Sequence, residues 1–196
     1  MCGIAGYVTL EDTTDRPEHL KQMASALRHR GPDDEGYFVQ PGIGLAARRL
    51  SIIDLPGSGQ PISNEDGTIR VICNGEIYNY LELRLALEER GHRLSTQGDT
   101  ETLVHLYEDH GVDMLQFLRG MFAFALWDSR KRTLFLARDR LEKKPVHYLA
   151  TDRSLVFSSE LAPLLDLKLA SWEIDPNALA AYLMLGFIPN PLTIVR

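Results

Sequence analysis

Cys2 needs less help to do chemistry than any other residue in the chain. Once Met1 is removed, which small residues at position 2 generally permit, it carries a thiol and a free α-amine together. The amine has an ordinary pKa of about 8, so part of it is unprotonated at neutral pH and can take the thiol proton. The result is a nucleophile activated by its own terminus, with no histidine required. Gly3 leaves the approach to the sulfur open. Attack of a thiolate on a carboxamide creates an oxyanion, which requires hydrogen-bond donors. Asn74-Gly75 can supply a side-chain amide and a backbone N–H, although Asn-Gly is also the strongest hairpin-turn signal. For a substrate with an amino-acid backbone, Arg49 can grip the carboxylate in two-pronged fashion, and Glu76 and Asp99 can receive the ammonium. Two of these have a structural alternative: a surface ion pair for Arg49, the cap of the following helix for Asp99. Cys2, too, taken alone reads more readily as a small apolar residue that opens a strand.

The elements that must position these residues can be read from periodicity and punctuation. The segment Gly3–Leu10 is β-prone, and Pro17–Leu27 has a helical face of Leu20, Met23, Ala24 and Leu27. His29–Gly36 is punctuated as a loop. Strands are expected at Tyr37–Gln40, Gly44–Leu50 and Ile69–Cys73, with Pro56–Gly67 as an irregular connection. Tyr80–Arg90 alternates leucines as a strand would, but its composition favours a helix ended by Gly91. A further helix is expected from Asp99 or Thr100 to His110. The β-like runs Met121–Trp127, Thr133–Ala137, Val146–Leu149 and Leu155–Phe157 read as one antiparallel meander. Helical patterns follow at Glu160–Leu165 and Pro176–Leu185. Adjacent strands with helices in separate clusters imply sheet layers covered by helices, an α+β class, rather than a parallel α/β fold. Cys73, closing a buried strand, reads as a core thiol, inert unless oxidised.

Composition narrows the function class. The chain has 196 residues, 44% hydrophobic and 24% charged, with a formal net charge of -6, which gives no basic footprint for nucleic acid. The basic triplets Arg28-His29-Arg30 and Arg130-Lys131-Arg132 read as turns or solvated faces. No run approaches the roughly 18 apolar residues of a membrane span, and no secretory leader pattern opens the chain. Two cysteines and six histidines show no metal-ligand spacing. The expectation is a cytoplasmic, reduced protein without a metal.

Met1–Gly6 (MCGIAG), Arg28–Gly36 (RHRGPDDEG), Arg49–Asp54 (RLSIID), Gln60-Pro61, Asn74–Tyr80 (NGEIYNY), Asp99–Glu101 (DTE), Gly120–Asp128 (GMFAFALWD) and Ala137–Arg140 (ARDR) occur in that order. Together they resemble a class II glutamine amidotransferase, an N-terminal nucleophile hydrolase, and specifically the amino-terminal domain of glutamine-hydrolysing asparagine synthetases. The resemblance covers essentially the whole chain. It implies a four-layer αββα sandwich of two antiparallel sheets, with Cys2 as nucleophile and its own amine as base. It also implies Asn74 and Gly75 as the oxyanion hole, Arg49 on the glutamine carboxylate, backbone of Leu50, Ser51, Ile52 and Ile53 lining the pocket, and Glu76 and Asp99 on the amine. Residues 1–173 are then the glutaminase domain, and 174–196 a linker and the start of a synthetase domain. No SGGxDS-like loop is present, so ATP and Mg are expected only in that further domain, and none is needed for glutamine hydrolysis. A homodimer is compatible with the resemblance.

Three positions depart from the family pattern. Glu142 stands where a glycine is usual, Val146-His147 where Leu-Tyr is usual, and Ala47 where relatives often carry histidine. If the glycine position requires positive φ, Glu142 carries strain or a changed turn. Two other readings keep their place: an amidotransferase serving another acceptor, such as an amino-sugar or purine precursor, and a non-catalytic domain in which retained Met1 blocks the amine of Cys2.

Overall fold

A computed structural model of the chain describes residues 2–10, 17–50, 59–170 and 172–196. Two compact units divide it, Met1–Leu164 and Leu165–Arg196. In the first unit the described residues form two antiparallel sheets. One has the order β2-β3-β1-β9-β8, built from β1 (Gly3–Thr9), β2 (Asp34–Gln40), β3 (Ile43–Arg49), β8 (His147–Ala150) and β9 (Ser154–Ser158). The other has the order β4-β5-β6-β7, from β4 (Ile62–Ser63), β5 (Ile69–Ile77), β6 (Gly120–Asp128) and β7 (Thr133–Arg138).

Strand periodicity decides what each face does. Ile4 of β1, Ile43, Leu45 and Ala47 of β3, and Phe157 of β9 meet Ile72 of β5 and Ala123, Ala125 and Trp127 of β6 in one buried layer between the sheets. The opposite face of the four-stranded sheet presents Val71, Cys73, Ile77, Phe122, Phe124 and Leu126 to α2 (Tyr80–Glu89) and α3 (Glu101–His110). Against the outer face of the five-stranded sheet lies α1 (Pro17–Ala26), with Leu20, Met23 and Ala24 buried. The order of layers is therefore α1, sheet, sheet, α2 and α3: the αββα sandwich.

Several expectations are corrected. Asn74-Gly75 does not turn the chain; β5 runs on to Ile77, paired with β6 along its whole length. The four late strands are not one meander, because β6–β7 belong to one sheet and β8–β9 to the other. β2 begins at Asp34 instead of Tyr37, drawn into register by β3, with Asp34 opposite Arg49. The helix that composition favours at Tyr80–Arg90 is present as α2, with Leu83 and Leu87 buried and Leu81 and Leu85 exposed.

The second unit contains α4 (Pro176–Leu185). Asp175 caps it by accepting from Asn177 N–H at 2.8 Å, and Gly186 closes it at φ 77°. Ile174 and Val195 form a short antiparallel bridge. Among the described residues no helix is long and apolar enough to cross a membrane.

Candidate active site

The β1–β3 register brings two of the candidate residues together at one edge of the sandwich. In the β1–β3 pair Gly3 faces Arg48, so Cys2 and Arg49 are the next pair outward. Arg49 follows the parity of Ile43, Leu45 and Ala47, the side chains between the sheets. Arg48 has the other parity: its Nε donates to the Ala24 carbonyl of α1 at 3.0 Å and its Nη2 lies 2.6 Å from Glu35 Oε2. On β5, Asn74 and Glu76 share the parity of Ile72 and face the same interlayer, while Cys73 points to the helices. Cys2, half-buried, lies with its thiol donating toward the Leu50 carbonyl at 3.8 Å. Leu50 is described; Ser51, Ile52 and Ile53 lie outside the described residues.

Asn74 is fully buried, and neither atom of its side-chain amide has a hydrogen-bond partner among the described residues. Buried amides are nearly always satisfied, and leaving one bare costs about 1–3 kcal/mol per group. A polar side chain held in this condition is ready to meet a polar atom from outside. Gly75 is required by close approach: a Cβ there would fall 2.2 Å from the Met121 carbonyl oxygen and 2.6 Å from Phe122 Cα. Asp99 is buried, and its Oδ2 accepts from the Ile77 N–H at 2.8 Å, which ties it to the end of β5 beside Glu76. It does not cap the helix with its side chain, since α3 starts after Thr100.

One residue at this edge was read from the sequence only as part of a solvated turn. Arg30 is largely buried: its Nε donates to the Cys2 carbonyl at 3.0 Å and its Nη1 to Glu160 Oε1 at 2.8 Å. His29 reaches the same Glu160 oxygen at 2.9 Å. Burial alone would raise the Glu160 carboxyl, but hydrogen bonds from Arg30 and His29 hold it below the usual carboxylate range. Arg30 thus fixes the backbone of Cys2. Ser159 anchors the strand two residues on, accepting from Ile4 N–H at 2.9 Å and donating its own N–H to the Ile4 carbonyl at 2.8 Å. Gly31, the next residue after Arg30, brings the turn against β3, where a Cβ would sit 2.4 Å from the Arg49 nitrogen. The arginine-glycine pair inside RHRGP was the available signal, since glycine there permits the approach that lets arginine turn inward.

The second thiol is of a different kind. Cys73 is 2% exposed, and burial pushes it well above the ordinary thiol range, with Asp99 and Cys2 adding in the same sense and Lys144 opposing. Gln60 accepts its backbone N–H at 2.7 Å. Of the departing positions, Ala47 fills the layer between the sheets and is 4% exposed. His147 opens β8, and burial, then Arg138, lowers its pKa against the pull of Glu160.

The glutamine amidotransferase domain family matches the chain over residues 1–196. Asparagine synthetase [glutamine-hydrolyzing] 1 of Bacillus subtilis is 42% identical over 197 residues, 99% of this chain and 31% of the relative. Asparagine synthetase [glutamine-hydrolyzing] 2 of the same organism is 45% identical over 167 residues, covering 84% of this chain and 22% of that protein. The chain thus spans about a third or less of the length of these two relatives. Among solved structures, glutamine phosphoribosylpyrophosphate amidotransferase from Bacillus subtilis, complexed with ADP and GMP, superposes with a TM-score of 0.70. At 21% identity over 89% of this chain and 46% of that one, it shares the fold. A sandwich of this topology and a match running the full length lead to one assignment: the chain belongs to the glutamine amidotransferase domain family.

Proposed function

We propose that the chain hydrolyses the side-chain amide of glutamine through a γ-glutamyl thioester on Cys2. After loss of Met1, the free α-amine takes the thiol proton and the sulfur attacks the amide carbon. The oxyanion that forms is met by the Asn74 side-chain N–H and the Gly75 backbone N–H. Collapse expels ammonia, which carries away the proton held by the amine, and water then cleaves the thioester to release glutamate. Arg49 holds the α-carboxylate, Glu76 and Asp99 the α-ammonium, and the backbone of residues 50–53 the chain between. The unsatisfied buried amide of Asn74 on the interlayer face, with Cys2 at the rim of the facing sheet, carries this reading. The hydrolysis uses no cofactor.

The ammonia is proposed to pass to an ATP- and Mg-dependent domain that makes asparagine, in the cytoplasm. What supports this is the activity named for the relatives and the share of their length that this chain spans.

Protein with Met1 removed, treated with a glutamine-mimicking diazoketone, is expected to gain one adduct by intact mass, mapped to Cys2 and not Cys73. Cys2→Ser is expected to keep glutamine binding and lose nearly all turnover. An unmodified Cys2 in Met-free protein would overturn the thioester route.

A further inference from the structure

Away from this edge, four side chains from three separate segments converge. Glu65 lies in the turn between β4 and β5, His92 follows α2, and His105 and Glu108 lie three apart on α3. One potential ligand atom from each lies within 4.8 Å of all the others. Glu108 Oε2 is 2.9 Å from His105 Nδ1 and 3.5 Å from His92 Nδ1, and Glu65 Oε2 is 3.7 Å from His105 Nδ1. In tetrahedral zinc sites with bonds of roughly 2.0–2.2 Å, ligand atoms stand about 3.4 Å apart. The observed separations straddle that value.

The surroundings are built as they are around metal ligands. His92 Nε2 lies 3.0 Å from Asp109 Oδ1, Glu108 Oε1 accepts from Asn64 Nδ2 at 2.7 Å, and Glu65 Oε1 accepts from Arg93 N–H at 3.1 Å. Each of these outer groups fixes the atom that does not face the centre. His105 is 0% exposed, and its Nε2 has no hydrogen-bond partner among the described residues; Glu101 Oε1 lies beyond it at 3.9 Å. A cation on Nδ1 would place the ring proton on Nε2, directed at that carboxylate. Charge points the same way: Glu65, Glu108, Glu101 and Asp109 surround the two rings, while Arg90 pairs with Asp109 at 2.9 Å and lies 2.9 Å from His110 Nε2.

We propose that Glu65, His92, His105 and Glu108 form a structural four-coordinate site for a divalent cation of zinc type, pinning α3 to the turn before β5 and to the segment after α2. Imidazole with carboxylate suits zinc, and the site closes without an open position for substrate.

The test uses the chain stripped by a chelator and titrated with zinc against a competing chromophoric chelator. One zinc per chain is expected, and cobalt(II) should give the visible bands of a four-coordinate nitrogen–oxygen site. A thiolate charge-transfer band would place the metal on Cys2 and overturn the proposal. His92→Ala and Glu65→Gln, at the accessible side of the cluster, are expected to weaken zinc about a hundredfold or more, and Asp109→Asn about ten- to a hundredfold. Far-UV circular dichroism should be unchanged in all three. Affinity unchanged in a His92→Ala/Glu108→Gln double variant, or no binding tighter than about 100 µM in the parent chain, would overturn it.

Discussion

In the proposed reaction, Asn74 separates stability from function at the scale of one residue. Its amide is buried without a partner among the described residues, so it contributes nothing polar to the resting fold. Asn74→Ala is therefore expected to lower kcat for glutamine hydrolysis about 100- to 1000-fold, with a melting temperature unchanged or raised. Assay and thermal melt together check both halves; a variant that unfolds while retaining per-molecule turnover would contradict the role. The chemistry proposed for Cys2, Arg49, Asn74, Glu76 and Asp99 is read from residue type, which alone limits what each can do. The placing of Cys2 next to Arg49 was not legible, since it depends on the register that sets Gly3 opposite Arg48. Arg30 was missed because its triplet has the composition of a surface turn. Its inward aim depends on Gly31 touching β3, a contact between segments far apart in sequence.

At the scale of elements, Asn-Gly shows how tertiary pairing overrides a local signal: the dipeptide sits mid-strand because β6 offers a partner at every position from Gly120 to Asp128. The division of β6–β7 and β8–β9 between two sheets was hidden because short turns look alike whether or not the next hairpin joins the same sheet. The intervening loop is organised by Asp139, whose carboxylate accepts from the backbone N–H groups of Phe122, Leu141, Lys143 and Lys144. That nest leaves Glu142 at φ 56°, the strain anticipated for a side chain at a usual glycine position. Its carboxylate pairs with Arg138. Comparing Glu142→Gly with Glu142→Ala cancels the lost ion pair. The glycine variant is expected to be more stable by about 1 kcal/mol in urea denaturation. Equal stabilities would mean that the turn relaxes at no cost.

At the scale of the whole molecule, several buried carboxylates act together. Burial alone would raise Glu101, but hydrogen bonds from Ser95 and Thr96 hold it below its ordinary 4.5. Asp139, likewise opposed by burial, is held below 3.8 by its backbone donors. A depressed native pKa means that the unfolded chain binds more protons in acid. The stabilisation is thus fully present above the ordinary carboxylate values and lost as pH falls through the native ones. Urea midpoints are expected to be flat near neutrality and to fall steeply below about pH 4.5, the ordinary Glu value. Glu101→Gln should start lower at pH 7 and fall less; an equally steep fall would assign the acid loss elsewhere. The same architecture has a consequence for how such a chain can change over generations. On β5 the odd positions Val71, Cys73 and Ile77 answer to the helices, and the even positions Asn74 and Glu76 answer to the space between the sheets. Selection on packing and, in the proposed reaction, selection on substrate therefore act on alternating letters of one nine-residue strand. Either set can drift while the other is held, but inserting a single residue would exchange the two.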